Sequence, residues 1–355
     1  MKKQLLFFSF FLGASLSVNA QILQSDNFNA LNNGNVTTNI AGTLAGQGGY
    51  FLQSENGAAP TTSTNAAATN AQIVASDATN VKALRLEGPN GNGGGRFLFK
   101  DFTVGWASRT AGNNIIEVEV DINPGVISTS RNTFGIYIYN SAYNKVLAGF
   151  VVRAATRELS LVAYSTPQGQ AVNNYTYSLA PAPGVILPAN QLSRIGISYD
   201  TVTGEVTIKG PGIPAEGVGV LSSALSTDVP AEVDFISFSG STTALPNTAA
   251  ATMTFDNFVV RASATDTLLG VDDVATIENA FLVYPNPVKD FVTISNSVNS
   301  IENISIIDLN GRTVKSVKLN GETSAQVNIS DLSAGVYMMN INSDQGSVTK
   351  KIVKN

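Results

Sequence analysis

Three carboxylates, Glu117, Glu119 and Asp121, alternate with Ile116, Val118, Val120 and Ile122 in the run IIEVEVDI (115–122). On a strand, residues two apart share a face, so all three acids point the same way. Adjacent ones are roughly 6.6 Å apart along the backbone. Retaining glycoside cleavage needs a nucleophile and an acid/base carboxyl about 5–5.5 Å apart, a spacing such a row could supply. The same alternation also marks the solvent side of a half-buried strand. A second candidate is aromatic. Tyr137 and Tyr139 share one strand face, Tyr175 and Tyr177 share another, and Trp106 is the only tryptophan. Tyrosine joins a large apolar ring to a polar tip, which suits stacking on a sugar at a wet edge, and also suits packing under a loop. Asp26 and Asp256, with nearby carbonyls, offer oxygen ligands to a structural Ca²⁺, or simply turn their own strands.

The missing residue types exclude more than the present ones assign. The chain has no Cys and no His. A Cys nucleophile, a Ser-His-Asp triad and His-ligated zinc are therefore ruled out. Without disulfides, an exported chain must be held by its core alone. The N-terminus, MKKQLLFFSFFLGASLSVNAQ, has Lys2 and Lys3, an apolar stretch from Leu5 to Val18 and small residues before Gln21, the pattern of a signal peptide over 1–20. Its removal takes two lysines and shifts the formal net charge from −5 to −7. An acidic chain with no basic stripe is not expected to bind nucleic acid. No later segment is long and apolar enough for a membrane span.

The elements that must position these residues are strands. Short alternating runs separated by Gly, Asn, Pro and Asp turns continue through TFGIYIYN (133–140), KVLAGFVVRA (145–154), ELSLVAYS (158–165), NNYTYSLA (173–180), VDFISFS (233–239) and TMTFDNFVV (252–260). RIGISYDTVTGEVTIKG (194–210) reads as a hairpin. Residues 57–80, rich in Ala, Thr and Asn, read as a long surface loop. The glycines of PNGNGGGRF (89–97) precede a strand, FLFKDF, rather than a helix, which removes a phosphate-cradling role. The fold class expected is all-β: a large jelly-roll sandwich over 21–262, an acidic linker over 263–280, and a small immunoglobulin-like sandwich over 281–355.

Residues 281–355 carry several features in order: Tyr284-Pro285-Asn286-Pro287, Asp308-Leu309-Asn310-Gly311-Arg312, Leu332-Ser333-Ala334-Gly335-Val336-Tyr337 and a terminal Lys350-Lys351-Ile352-Val353-Lys354. Locally, Gly311 is expected to turn a hairpin, and Gly335 to relieve crowding where the strand bearing Tyr337 begins. Together these features resemble the C-terminal sorting domain (type A) of the type IX secretion system of Bacteroidetes. The resemblance implies export through the periplasm and across the outer membrane by the type IX machinery. It also implies removal of the sorting domain, here within 263–280, and release of the cargo or its attachment to surface lipopolysaccharide. The larger unit is similar to concanavalin A/laminin G-like jelly rolls through Asp26-Asn27-Phe28, RIGISYDTVTGEVTIKG, Val233-Asp234-Phe235-Ile236 and Phe255-Asp256-Asn257-Phe258-Val259-Val260. This similarity implies pairing of the first and last strands, and laminarinase-type members carry an acid-x-acid-x-acid strand. Asp200-Thr201-Val202 and Asp266-Thr267-Leu268 resemble Bacteroidetes O-glycosylation sites, the second expected to be exposed. The function expected is that of a secreted or surface protein binding a ligand such as glycan. The alternatives are a carboxylate-dependent glycoside hydrolase or lyase, and a structural or adhesive protein.

Overall fold

The computed structural model describes residues 20–61, 65–75, 82–223, 228–242, 244–269, 281–295, 301–308, 312–343 and 346–355. Nearly all regular structure is antiparallel strand; the helical pieces are single turns such as Thr103–Ala107. Residues 1–19 of the expected signal peptide and residues 270–280 of the expected linker lie outside the described residues.

Two sheets face each other in the large unit. The nine-stranded sheet is built around Ile115–Asn123, flanked by Ser193–Asp200 and Thr252–Ser263. The eight-stranded sheet is built around Thr133–Asn140 and Pro230–Phe238, with Gly95–Phe99 and Phe51–Ser54 completing one side. The first strand, Gln21–Asp26, pairs with the last, Thr252–Ser263, and sets Asp26 opposite Phe258. Alternation explains the core between the sheets. Ile116, Val118, Val120 and Ile122 from one sheet meet Phe134, Ile136, Ile138, Val233 and Phe235 from the other. Phe235 sits at the centre, with its ring 4.8 Å from Phe258, 5.2 Å from Phe255 and 6.0 Å from Phe28. The loop expected over 57–80 contains a strand, Ala71–Ala75, whose Ala71 and Ile73 side chains are buried in the core.

The C-terminal unit has its own core of Phe281, Val288, Val292, Ile294, Ile304, Val327, Met339 and Ile352, among others, between a three-stranded and a four-stranded sheet. The Pro-Asn-Pro turn follows the edge strand Leu282–Tyr284. Asn286 ties it to the last strand: its Oδ1 accepts the Val353 N–H (2.9 Å) and its Nδ2 donates to the Lys351 carbonyl (2.8 Å). Gly311 lies outside the described residues. The strands beside it, Ile301–Ile307 and Thr313–Glu322, pair antiparallel, and Asp308 accepts hydrogen bonds from Arg312 N (3.0 Å) and Nε (3.2 Å). Gly335 does not relieve crowding as expected. Its φ is not positive, and an added Cβ would meet only Tyr337, at an ordinary 3.8 Å. Tyr337 is buried, its hydroxyl donating to the Ser333 carbonyl (2.9 Å).

Candidate functional site

The acidic row on Ile115–Asn123 is not a solvent face. Glu117 and Glu119 are 0% and 1% exposed. They lie on the outer side of the nine-stranded sheet, sealed by residues 263–269, the stretch expected to open the linker. Glu117 accepts hydrogen bonds from Ser263 Oγ (2.9 Å), Thr267 Oγ1 (2.6 Å) and Thr267 N (2.6 Å). Glu119 accepts from Leu269 N (2.9 Å), Arg261 Nη1 (2.9 Å) and Arg194 Nη2 (3.0 Å). Leu268 is buried against Gly196, where an added Cβ would come within 2.7 Å of the leucine side chain. Burial raises Glu117 above the ordinary carboxylate range, opposed by the Thr267 and Ser263 hydrogen bonds. For Glu119 burial acts upward too, but the hydrogen bond and charge of Arg261, then the charge of Arg194, outweigh it and hold the group low. With every approach occupied, Glu117 and Glu119 have no room for substrate. Asp121 is half-buried and held by Asn257 Nδ2 (2.7 Å) and Arg194. Thr267 is engaged rather than presented for glycosylation, and so is Thr201, which is 8% exposed and donates to the Asn114 carbonyl (2.8 Å).

The expected aromatic platform separates. Tyr175 and Tyr177 stand opposite Ala163 and Leu161, whose side chains enter the core, so they occupy the inner face. Their hydroxyls are tied locally, Tyr177 to Ser165 Oγ (2.5 Å) and Tyr175 to the Ala171 carbonyl (2.7 Å). Trp106 is a core residue, 2% exposed, beneath the Arg109 guanidinium. Tyr137 and Tyr139 lie on the outer face of the eight-stranded sheet.

On that outer face lies an open cleft of about 560 Å³, lined by Gln53, Phe97, Phe99, Tyr139, Tyr143, Glu232 and Asp234. Register builds it. Asp234 stands between Phe99 on one neighbouring strand and Tyr137 on the other, Glu232 stands beside Tyr139, and Gln53 stands beside Phe97. Phe51 stacks on Phe99 with ring centroids 5.5 Å apart. Below them runs a seam of rings: Phe97 on Phe238 (5.3 Å), Phe238 on Tyr137 (5.8 Å) and Tyr137 on Tyr139 (5.9 Å). Gly149 makes room for this seam, since a Cβ there would lie 2.6 Å from the Tyr137 ring. Tyr143 comes from the turn after Thr133–Asn140, is 55% exposed, and is held at φ 54°. Asn140 fixes that turn, its Oδ1 accepting Asn144 N and Lys145 N, each at 3.1 Å.

Glu232 and Asp234 lie side by side in the cleft, close enough for each carboxyl to act on the other. Asp234 is 1% exposed, and among the described residues its Oδ1 has no hydrogen-bond partner. Burial, then the neighbouring Glu232 charge, push Asp234 well above the carboxylate range. Burial also raises Tyr137 to about 12. None of the residues lining the cleft is cationic. Phe97, Phe99, Tyr143, Glu232 and Asp234 are not among the candidate site residues read from the sequence, where Asp234 enters only through the jelly-roll resemblance, although Glu232 and Asp234 show the same acid-x-acid alternation as 117–121.

The expected calcium pair does not fit an ion. Asp26 is committed to Lys100 Nζ (3.0 Å) and Phe28 N (2.7 Å). Among the described residues no group of three or more carboxylates is arranged to hold a metal. Asp256 is instead a buried carboxyl pushed up to about 7, by burial first and then by the charges of Asp121 and Asp26, against a hydrogen bond from Asn257 N. An unfolded Asp titrates near 3.9, so between about pH 4 and 7 the folded chain binds the extra proton, and stability falls as pH rises through that window. Asp256→Asn is therefore expected to leave stability nearly unchanged at pH 4 and to raise it by about 1–3 kcal/mol at pH 8, measured by urea unfolding.

Comparison with known proteins bears on the C-terminal unit. Residues 282–355 match the family model of the secretion system C-terminal sorting domain. The protein is thus an all-β chain exported by type IX secretion to the cell surface or the medium. Among the described residues no helix is long and apolar enough to cross a membrane. No curated protein sequence matches the chain. Among solved structures it is similar to a marine PL-14 alginate lyase from Aplysia kurodai (9% identity, 68% of this chain and 99% of that one, TM-score 0.43). It is also similar to alginate lyase Aly36B (16%, 66% and 95%, 0.38) and to the binding domain of botulinum neurotoxin serotype D/C (14%, 84% and 68%, 0.36). Similarity at this level carries no functional weight.

Proposed function

We propose that the protein is a glycan-binding protein of the cell exterior, and that the outer cleft of the eight-stranded sheet is its binding site. The observation that carries this reading is the lining itself: four aromatic rings around one buried carboxyl, one half-buried carboxyl and one amide. Ring faces cover the apolar faces of a sugar, while carboxylate and amide oxygens accept from its hydroxyls. An open cleft of this size suits part of a chain rather than an enclosed small molecule. Cleavage is less well supported. The next outward position on the strand is Ile236, which supplies no third acid.

Titration of the purified chain against a polysaccharide panel, with reducing-end release followed in parallel, tests the reading. Binding without release is expected, weakened about tenfold or more by Tyr139→Ala or Tyr143→Ala. Binding indifferent to both substitutions would move the site elsewhere. Release that vanishes in Glu232→Gln would make the cleft a hydrolase site.

A further inference from the structure

Asp234 asks more of a ligand than a neutral sugar gives. Its carboxyl is buried, Glu232 lies against it, and Asp101 is close enough to add its charge to Glu232. No lining residue is cationic, Lys100, next to Phe99 in the chain, is paired with Asp26 (3.0 Å), and Lys145, beside the turn that carries Tyr143, is paired with Asp228 (2.8 Å). A buried carboxylate is costly unless it is paired and hydrogen-bonded, and here the unpartnered Oδ1 of Asp234 belongs to a residue that lines the cleft. A sugar hydroxyl brings one donor and no charge. A primary ammonium brings three donors and the missing positive charge. The walls favour the same group, since the faces of Phe97, Phe99, Tyr139 and Tyr143 attract a cation through their ring quadrupoles. An N-acetylated amine would lose both the charge and two of its donors.

We propose that the glycan bound in this cleft contains an amino sugar with a free amine, its ammonium seated between Glu232, Asp234 and the aromatic walls. The inference rests on the glycan-binding reading and names its ligand class. Three tetrasaccharides of the same β-1,4 backbone separate the possibilities, differing only at C2: glucosamine, N-acetylglucosamine and glucose. Calorimetric titration of the full chain is expected to show the glucosamine oligomer bound at least about tenfold more tightly than the other two, because charge-assisted hydrogen bonds are the stronger kind. Glu232→Gln and Asp234→Asn should each bring it down to the level of the glucose oligomer, with thermal melting confirming that the variants fold. Equal binding of all three would overturn the amine inference and leave the glycan reading standing. Preference for the acetylated form would overturn the inference in the same way, and no binding of any of them would sink both.

Discussion

A chain ending at residue 280, without the sorting domain, is expected to accumulate in the periplasm as a folded protein, with essentially none on the surface or in the medium. Two observations make this loss one of address and not of folding. The hydrophobic core of the large unit contains no residue beyond 262, and residues 281–355 enclose a separate core of their own. Cell fractionation with an antibody against the large unit reads the outcome. Normal levels of the truncated chain in the medium would overturn the role of the domain. Asn286→Ala is a finer version, because it removes both hydrogen bonds that pin the last strand to the Pro-Asn-Pro turn. It is expected to lower export while leaving the large unit's melting temperature unchanged.

The second large effect separates two truncations that composition alone would treat as equivalent. A chain ending at 269 keeps the segment that seals Glu117 and Glu119; a chain ending at 262 loses it. The shorter chain forfeits the Ser263 and Thr267 hydrogen bonds to Glu117, the Leu269 N–H to Glu119, and the burial of Leu268. Hydrogen bonds to charged groups contribute about 1.5–3 kcal/mol each, and re-exposure of the carboxylates to water returns part of that. The net loss expected is about 3–5 kcal/mol, seen as a lower urea midpoint relative to the chain ending at 269. Identical midpoints would show that the segment adds nothing to the fold. Thr267→Val isolates part of the effect, since it removes the hydroxyl donor and keeps the backbone one.

Local pattern carried much of the architecture. Alternation in IIEVEVDI and TFGIYIYN assigned inward and outward residues correctly, because period-two burial needs only the strand itself. Ala71–Ala75 is hidden because one alternation, Ala71 and Ile73, inside an Ala/Thr-rich stretch gives little contrast. Tyr175 and Tyr177 were paired with Tyr137 and Tyr139 by residue type, but the register puts the former beside Leu161 and Ala163 and so on the inner face.

The acids show where sequence stops. Two strands carry the same chemistry, Glu117-x-Glu119 and Glu232-x-Asp234, each alternating with core residues. The sequence by itself determined an all-β fold, an exported chain, a C-terminal sorting domain, and the exclusion of thiol and imidazole chemistry. Only the tertiary structure decided which acidic strand is open. Arg261, Arg194 and the backbone N–H groups of Thr267 and Leu269 converge on the first and neutralise it, though they come from strands and a segment far away in the chain. The second is met in the cleft by aromatic rings and the Gln53 amide, which leaves its carboxyls facing a cleft whose lining holds no compensating charge. Whether a buried carboxylate is satisfied depends on partners brought in by folding, and no spacing within its own strand encodes that.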